Sequence, residues 1–418
     1  MAERGQPILS LMRRVSCGIE GEWGSRAYTV EPRFRYTDPC PGELPGPFYR
    51  DFFCASHGKM NPGEAPAMTL LARSLGQLAA GIVIGHAMLW SSLGISSEPL
   101  EIRVEPLTVP PATQPLVSVV VRNRMDRPCQ GRLAISGPSD WRIAPDTRTM
   151  ELAAAAEKRF AFNIERARNV EANRYPFTIV ADIGTQQIRW EQTVFVASAP
   201  YARVTVDGRP DEWKDAIPVS FEQGGKSTTI STFWSRRRFY ALVAVQEQQQ
   251  VPYAGADGPA CDAVQLAISP LEPSDAAAGT AGRFEFLLAS AEGAARCFQL
   301  AAWDTPREFA DRSRALEPLI YDEAEVAIHR DGDVTYYECS LPFNLLREAI
   351  EPAEGREFFL SVLVHDPDGT GLRDLGQAAG LWAQTDDAPA WSRWRGMARR
   401  DAPPSSNPVR WGLCTSKY

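Results

Sequence analysis

The residues of this chain that could do chemistry are carboxylates and indoles. Asp366 and Asp368 stand in Asp366-Pro-Asp-Gly369, and hard carboxylate oxygens at that spacing can coordinate calcium. A complete calcium loop of the twelve-residue kind ends in a bidentate glutamate, whereas position twelve from Asp366 is Gln377, so a solvated acidic turn is the alternative. His57, His86, His329 and His365 make no metal-binding pair, and neither Gly-x-Ser-x-Gly nor a phosphate-binding glycine loop occurs. A glycosidase needs two carboxylates across a cleft, which spacing along a chain does not reveal. The cysteines lack Cys-x-x-Cys spacing, which points away from zinc and redox motifs. Cys261 and Cys339 fall in apolar strands, where buried free thiols are expected.

Tryptophans crowd the second half of the chain at 213, 234, 303, 382, 391, 394 and 411. An indole lies flat on the C–H face of a pyranose, while a few polar groups meet the hydroxyls, so sugar binding is a chemistry this equipment allows. The elements that must position these groups follow from composition and period. The chain has 418 residues, 44% of them apolar and 23% charged, enough for two to four folded units rather than one core. A net charge of −8 disfavours a nucleic-acid partner, because phosphate binding needs a concentrated basic face. Arginine outnumbers lysine heavily, which reads as the coding bias of a GC-rich genome.

From Glu98 the sequence turns to period 2: Leu100, Ile102, Val104; Val117, Val119, Val121; Phe160, Phe162, Ile164; Phe177, Ile179; then Ile188, Trp190, Val194. That alternation is a half-buried strand pattern, and six or seven such strands in about 100 residues describe an immunoglobulin-like sandwich over 99–199. The join Ala197-Ser-Ala-Pro200 is too short for a flexible tether, which predicts two domains in fixed contact. Further on, Glu325–Ile328 and Val334–Leu341 flank Asp331-Gly332, a tight-turn signal. Residues 1–98 show no sustained period until a helix over 67–90, with Leu71, Leu75, Leu78 and Ile82 at three- and four-residue steps. Four glycines, Gln77 and His86 dilute its apolar run, so a membrane span is disfavoured against a core helix left from a larger fold, such as a (β/α) barrel. The amino terminus lacks the pattern of a secretory signal.

The most informative stretch is Val204-Thr-Val-Asp-Gly-Arg-Pro-Asp-Glu-Trp213, read as a short strand, an Asp-Gly turn and an acidic Asp-Glu-Trp step. Together with Phe239-Tyr-Ala-Leu-Val-Ala-Val245, Cys261-Asp-Ala-Val-Gln-Leu-Ala-Ile268, Tyr336-Tyr-Glu-Cys-Ser-Leu-Pro342 and Phe358-Phe-Leu-Ser-Val-Leu-Val-His-Asp-Pro-Asp-Gly369, it resembles the family 9 carbohydrate-binding modules across 200–418. Similarly, Gly137-Pro-Ser-Asp-Trp-Arg-Ile-Ala-Pro145 with Phe160-Ala-Phe162 looks like the immunoglobulin-like accessory domain attached to bacterial α-galactosidases. The fold expected is thus mainly β: an immunoglobulin-like sandwich, then a jelly-roll-like carbohydrate-binding sandwich, after an irregular and helical fragment. Trp213 and Trp411 are expected in the core. The resemblance implies a stacking tryptophan at Trp382 and a second aromatic wall near Tyr253, where this chain lacks the family's tryptophan. Trp303 is a further candidate, and Asp366 and Arg373 would meet sugar hydroxyls beside Trp382.

Three functions follow as expectations. The first is non-catalytic binding of an oligo- or polysaccharide within a larger polysaccharide-degrading, extracellular or cell-surface protein, with structural calcium as the one cofactor suggested. Any activity would then be O-glycosyl hydrolysis in a missing amino-terminal domain. The second is an interaction protein without sugar affinity. The third is a haem-binding electron-transfer domain, for which only Met397 and two histidines could serve as ligands.

Overall fold

The computed structural model of the protein describes residues 98–272, 279–380, 390–398 and 405–418. The helix expected over 67–90 and Trp382 lie outside them. Among the described residues no helix is long and apolar enough to cross a membrane.

The chain is mainly β. Strands β1 (Leu100–Val104), β2 (Leu116–Asn123), β3 (Cys129–Ser136), β4 (Arg142–Ala144), β5 (Thr147–Leu152), β6 (Glu157–Arg166), β7 (Tyr175–Ile183) and β8 (Gln186–Val194) build two antiparallel four-stranded sheets, ordered β1-β2-β6-β4 and β5-β3-β7-β8. Successive residues of a strand point to opposite faces, so the alternating apolar positions of both sheets meet in one core. Val119, Phe162 and Ile179 all sit in it, fully buried. Trp190 breaks the expected alternation: it lies on β8, which pairs only with β7 at a sheet edge, and its ring is exposed.

The second layered body contains β9 (Ser198–Pro200), β10 (Val219–Gln223), β11 (Lys226–Trp234), β12 (Arg238–Gln246), β13 (Ala263–Ser269), β14 (Phe284–Ala291), β15 (Ala294–Ala301), β16 (Glu325–Asp331), β17 (Val334–Pro342), β18 (Glu357–Asp366), β19 (Gly371–Asp374) and β20 (Val409–Cys414). One sheet runs β10-β11-β12-β17-β16; the other runs β15-β14-β13-β18-β20-β9, with β19 also on β18. Single-turn helices α1 (Arg307–Ala310), α2 (Phe343–Leu346) and α3 (Leu375–Ala378) fill corners. Val243, Leu266 and Val362 meet in the core between the sheets, and Trp411 is buried there too. The β16–β17 hairpin closes through Gly332 at φ +59°, the left-handed conformation that its Asp-Gly signal requires.

The opening motif departs from expectation. Val204 to Val206 form no strand, because the local donors go to carboxylates rather than to a ladder: Thr205 N to Glu212 Oε2 (2.6 Å), and Asp207 N and Gly208 N to Glu338 Oε2 (2.9 and 2.6 Å). Glu338 Oε1 accepts Trp213 Nε1 at 2.9 Å, and that indole stacks on Phe233, covering the outer face of the five-stranded sheet.

The join is built into the second body, since β9 pairs in parallel with β20. Asn173 ties the two bodies together: its amide donates to Val196 O and Pro218 O (2.9 Å each) and accepts Val196 N (2.8 Å). Thr108 Oγ1 donates to Glu357 Oε1 at 2.5 Å, and a Cβ on Gly412 would stand 2.0 Å from Thr108 O. Only glycine permits that approach.

Candidate metal centre

An antiparallel register assembles the acidic site. Ala263 of β13 lies opposite His365 of β18, so Asp262, one residue before β13, faces Asp366 at the end of β18. Directly opposed residues share a face with Cβ atoms about 5 Å apart. The β18–β19 turn then brings back Asp368, and carboxylate oxygens of Asp262, Asp366 and Asp368 all lie within 4.8 Å of one another. Asp262 and Asp366 are buried, while Asp368 is exposed. Glu247, buried just beyond β12, is the fourth acid.

Each buried aspartate has one oxygen committed and one left over. Asp262 Oδ2 accepts Val251 N at 2.5 Å; Asp366 Oδ2 accepts Thr370 N at 3.0 Å, Thr370 Oγ1 at 2.9 Å and the Arg373 guanidinium. Asp262 Oδ1, Asp366 Oδ1 and Glu247 Oε2 find no partner among the described residues. Glu247 Oε1 faces Arg330 Nη1 at 3.5 Å. Two guanidinium groups against four carboxylates leave two negative charges uncompensated when all are ionised, which is the charge of one divalent cation.

Without a cation, burial pushes the Asp262 carboxyl up to about 7, with Asp368 and Asp366 adding repulsion. Burial likewise pushes Glu247 up to about 8, helped by Asp262 and Asp366 and opposed by Thr335 and Arg330. Burial works to raise Asp366 as well, but its bonds from Thr370 and Arg373 outweigh that, so it sits below the usual range. Unpartnered oxygens at this separation suit an all-oxygen cation with ligand distances of about 2.3–2.6 Å, the preference of calcium, with water completing the shell at exposed Asp368.

Asp366 and Asp368, the pair seen in the sequence, are thus brought together. Asp262 was missed because its partner lies about a hundred residues away in a ladder register that no local pattern encodes. Arg373 and Asp366 require correction as sugar contacts. Both are buried, and the guanidinium is spent on protein: Nε on Thr370 Oγ1 (2.6 Å), Nη1 on Ser227 O (3.1 Å) and Thr228 Oγ1 (3.3 Å), Nη2 on Gln246 O (2.7 Å) and Asp366. Arg373 therefore pins the β18–β19 hairpin to the β11–β12 hairpin. Tyr253 is likewise no open wall: it is buried with Phe298 and Trp394, and its hydroxyl lies 3.1 Å from Glu317 Oε1. Trp303 is half-buried against Phe284.

A second polar constellation, unseen in the sequence, covers the outer face of β13, β14 and β18. Residues 390–397 lie over it as a strap. Glu285 Oε2 accepts Gln265 Nε2 (2.8 Å) and Ser392 N (3.0 Å), and Glu285 pairs with Arg283. Arg283 Nη2 donates to Ala390 O at 2.6 Å, and its guanidinium stands over the Trp391 ring. Gln265 Oε1 accepts Trp394 Nε1 at 3.2 Å and lies 3.1 Å from His365 Nε2. Burial holds His365 down to about 3, so it is neutral. Met397 is packed beside Trp394, so the methionine and the buried histidine that a haem would require are taken up by protein contacts.

No protein-family model and no curated protein matches this chain. Among solved structures it is similar to a family 9 carbohydrate-binding module from Caldicellulosiruptor kristjanssonii in complex with cellotriose, at 12% identity and a TM-score of 0.33, over 52% of this chain and 93% of that one. A family 9 module from the same organism in complex with glucose gives 12% identity and a TM-score of 0.31, over 52% and 94%. The E. coli chaperone DraB gives 11% identity and a TM-score of 0.18, over 49% and 93%.

Proposed function

We propose that residues 200–418 are a non-catalytic oligosaccharide-binding module stabilised by one calcium ion. The observation that carries the reading is the half-committed carboxylate pair: Asp262 Oδ1 and Asp366 Oδ1 are buried, unpartnered and within reach of Asp368. Such a cluster is repulsive without a cation and cohesive with one. Its oxygens are committed to holding hairpins, with Arg373 as the cross-tie, so its role is structural rather than catalytic. Asp262, Asp366 and Asp368 would ligate the ion, with Glu247 closing the buried side.

Sugar is the ligand class we infer from the resemblance of residues 200–418 to family 9 modules, which implies a stacking indole at Trp382. The wider setting we infer, from the likeness of 99–199 to glycosidase accessory domains, is a polysaccharide-degrading polypeptide. The test is calorimetry of the full chain against soluble oligosaccharides with and without calcium, using Trp382→Ala as the site variant. Loss of a true stacking wall should weaken binding by about 1–3 kcal/mol without lowering the melting temperature. Absence of binding to any glycan in saturating calcium would refute the sugar reading. One observation favours an interaction module instead: the burial of Tyr253, which removes it as a second wall.

A further inference from the structure

Between the two bodies lies a cavity of about 390 Å³ that the sugar and cation readings leave unused. Pockets of this size at domain junctions are common ligand sites. Pro111, Val196, Trp213 and Ile217 give it an apolar floor. The polar side chains away from its charged rim are already occupied: Asn173 bonds to Val196 and Pro218, Asn169 accepts Ala112 N (3.1 Å) and donates to Lys417 O (2.8 Å), and Trp213 Nε1 is held by Glu338. A sugar seated on that floor would bury hydroxyls without partners. A flat apolar ring would meet no such penalty.

Charge at the rim completes the description. Lys417 Nζ is engaged with Lys214 O and stands 3.9 Å from Asp215. The exposed Lys214 ammonium has no hydrogen-bond or ion-pair partner among the described residues, and Glu171 is the opposing charge on the lining. We propose that this junction cavity binds a small aromatic carboxylate, its ring on the Trp213, Ile217 and Pro111 floor and its carboxylate on the Lys214 ammonium.

The test is methyl-detected NMR and calorimetry on the full chain with trans-4-hydroxycinnamate, its methyl ester and glucose as probes. The acid should bind at up to about 1 mM, shift the Ile217 and Val196 methyl signals, and compete with nothing at the sugar site, so Trp382→Ala leaves it unchanged. Lys214→Gln should weaken the acid about tenfold while sparing the ester, Lys214→Arg should restore it, and Glu171→Gln should tighten it; a charge contact of about 1.4 kcal/mol corresponds to tenfold. All three variants change exposed side chains, so folding is not at issue. No binding of the acid, shifts away from Ile217 and Val196, or equal affinity in Lys214→Gln would each overturn the proposal. Because the probe and the variants differ from those of the sugar test, either reading can fail alone.

Discussion

Chelation should make this protein lose stability as pH rises from 5 to 8, and calcium should abolish that loss. In the cation-free chain Asp262 releases its proton at about 7 against an ordinary 3.8, and Glu247 at about 8 against 4.5, both because burial penalises the charged form. A folded-state value raised in this way means that the native protein holds protons that the unfolded chain has shed. The stabilisation is complete below about pH 4, falls as pH rises, and is gone once pH passes the folded values near 7 and 8. Asp366 carries the opposite sign, but its value is depressed, so its window lies below pH 4. Between pH 5 and its folded value near 7 the Asp262 proton alone accounts for roughly two pH units at 1.36 kcal/mol each, about 3 kcal/mol; Glu247 is coupled to it and is not added. For a body of this size 1 kcal/mol moves the midpoint by about 2–4 °C, so the fall in EDTA should be of order 10 °C. Calcium at a hundred times its dissociation constant returns about 2.7 kcal/mol at pH 8 and much less at pH 5, where protons compete for the ligands. Scanning calorimetry across this range, in EDTA and in calcium, measures both slopes. Asp262→Asn should flatten the EDTA curve and remove the calcium response together. Parallel curves with and without calcium would refute the cation site, and a flat curve in EDTA would refute the burial of ionisable protons there.

Two further predictions probe the frame around the site. Glu285→Ala removes the carboxylate that pairs with buried Arg283 and accepts Gln265 Nε2 and Ser392 N, and should cost about 1–3 kcal/mol in urea unfolding for the buried donors left unsatisfied, with Glu285→Gln milder because Gln can still accept Ser392 N. Gly412→Ala places a methyl 2.0 Å from Thr108 O, so the bodies must part; the midpoint should drop by several degrees and the 195–200 join should become a protease target, whereas an unchanged digestion pattern would show that the contact yields at no cost.

What the sequence disclosed and what it hid divide along a physical line. Alternation discloses which face of a strand is buried, because side-chain direction repeats every two residues; Val119, Phe162, Leu266 and Val362 were readable for that reason. Alternation does not disclose register, and the acidic site is a consequence of register. A slip of one residue between β13 and β18 would turn Asp262 away from Asp366 and dissolve the cluster. Nor does residue type disclose exposure for polar groups next to a turn. Arg373 stands two residues beyond the glycine of a hairpin, where solvent is the ordinary expectation, yet β19 lies against β18 and directs that guanidinium inward, onto Asp366 and the carbonyls of Ser227 and Gln246. Such a burial is costly unless every donor is satisfied, and all three of its nitrogens are. The same reasoning decides Tyr253, expected as a second aromatic wall. Its backbone N–H donates to Ser290 O (2.8 Å), and the ring is buried with Trp394 and Phe298. A strap seated on a polar sheet face can only be inferred once strand neighbours are known, since Gln265, Glu285 and His365 come from three strands that are adjacent in space and far apart in sequence.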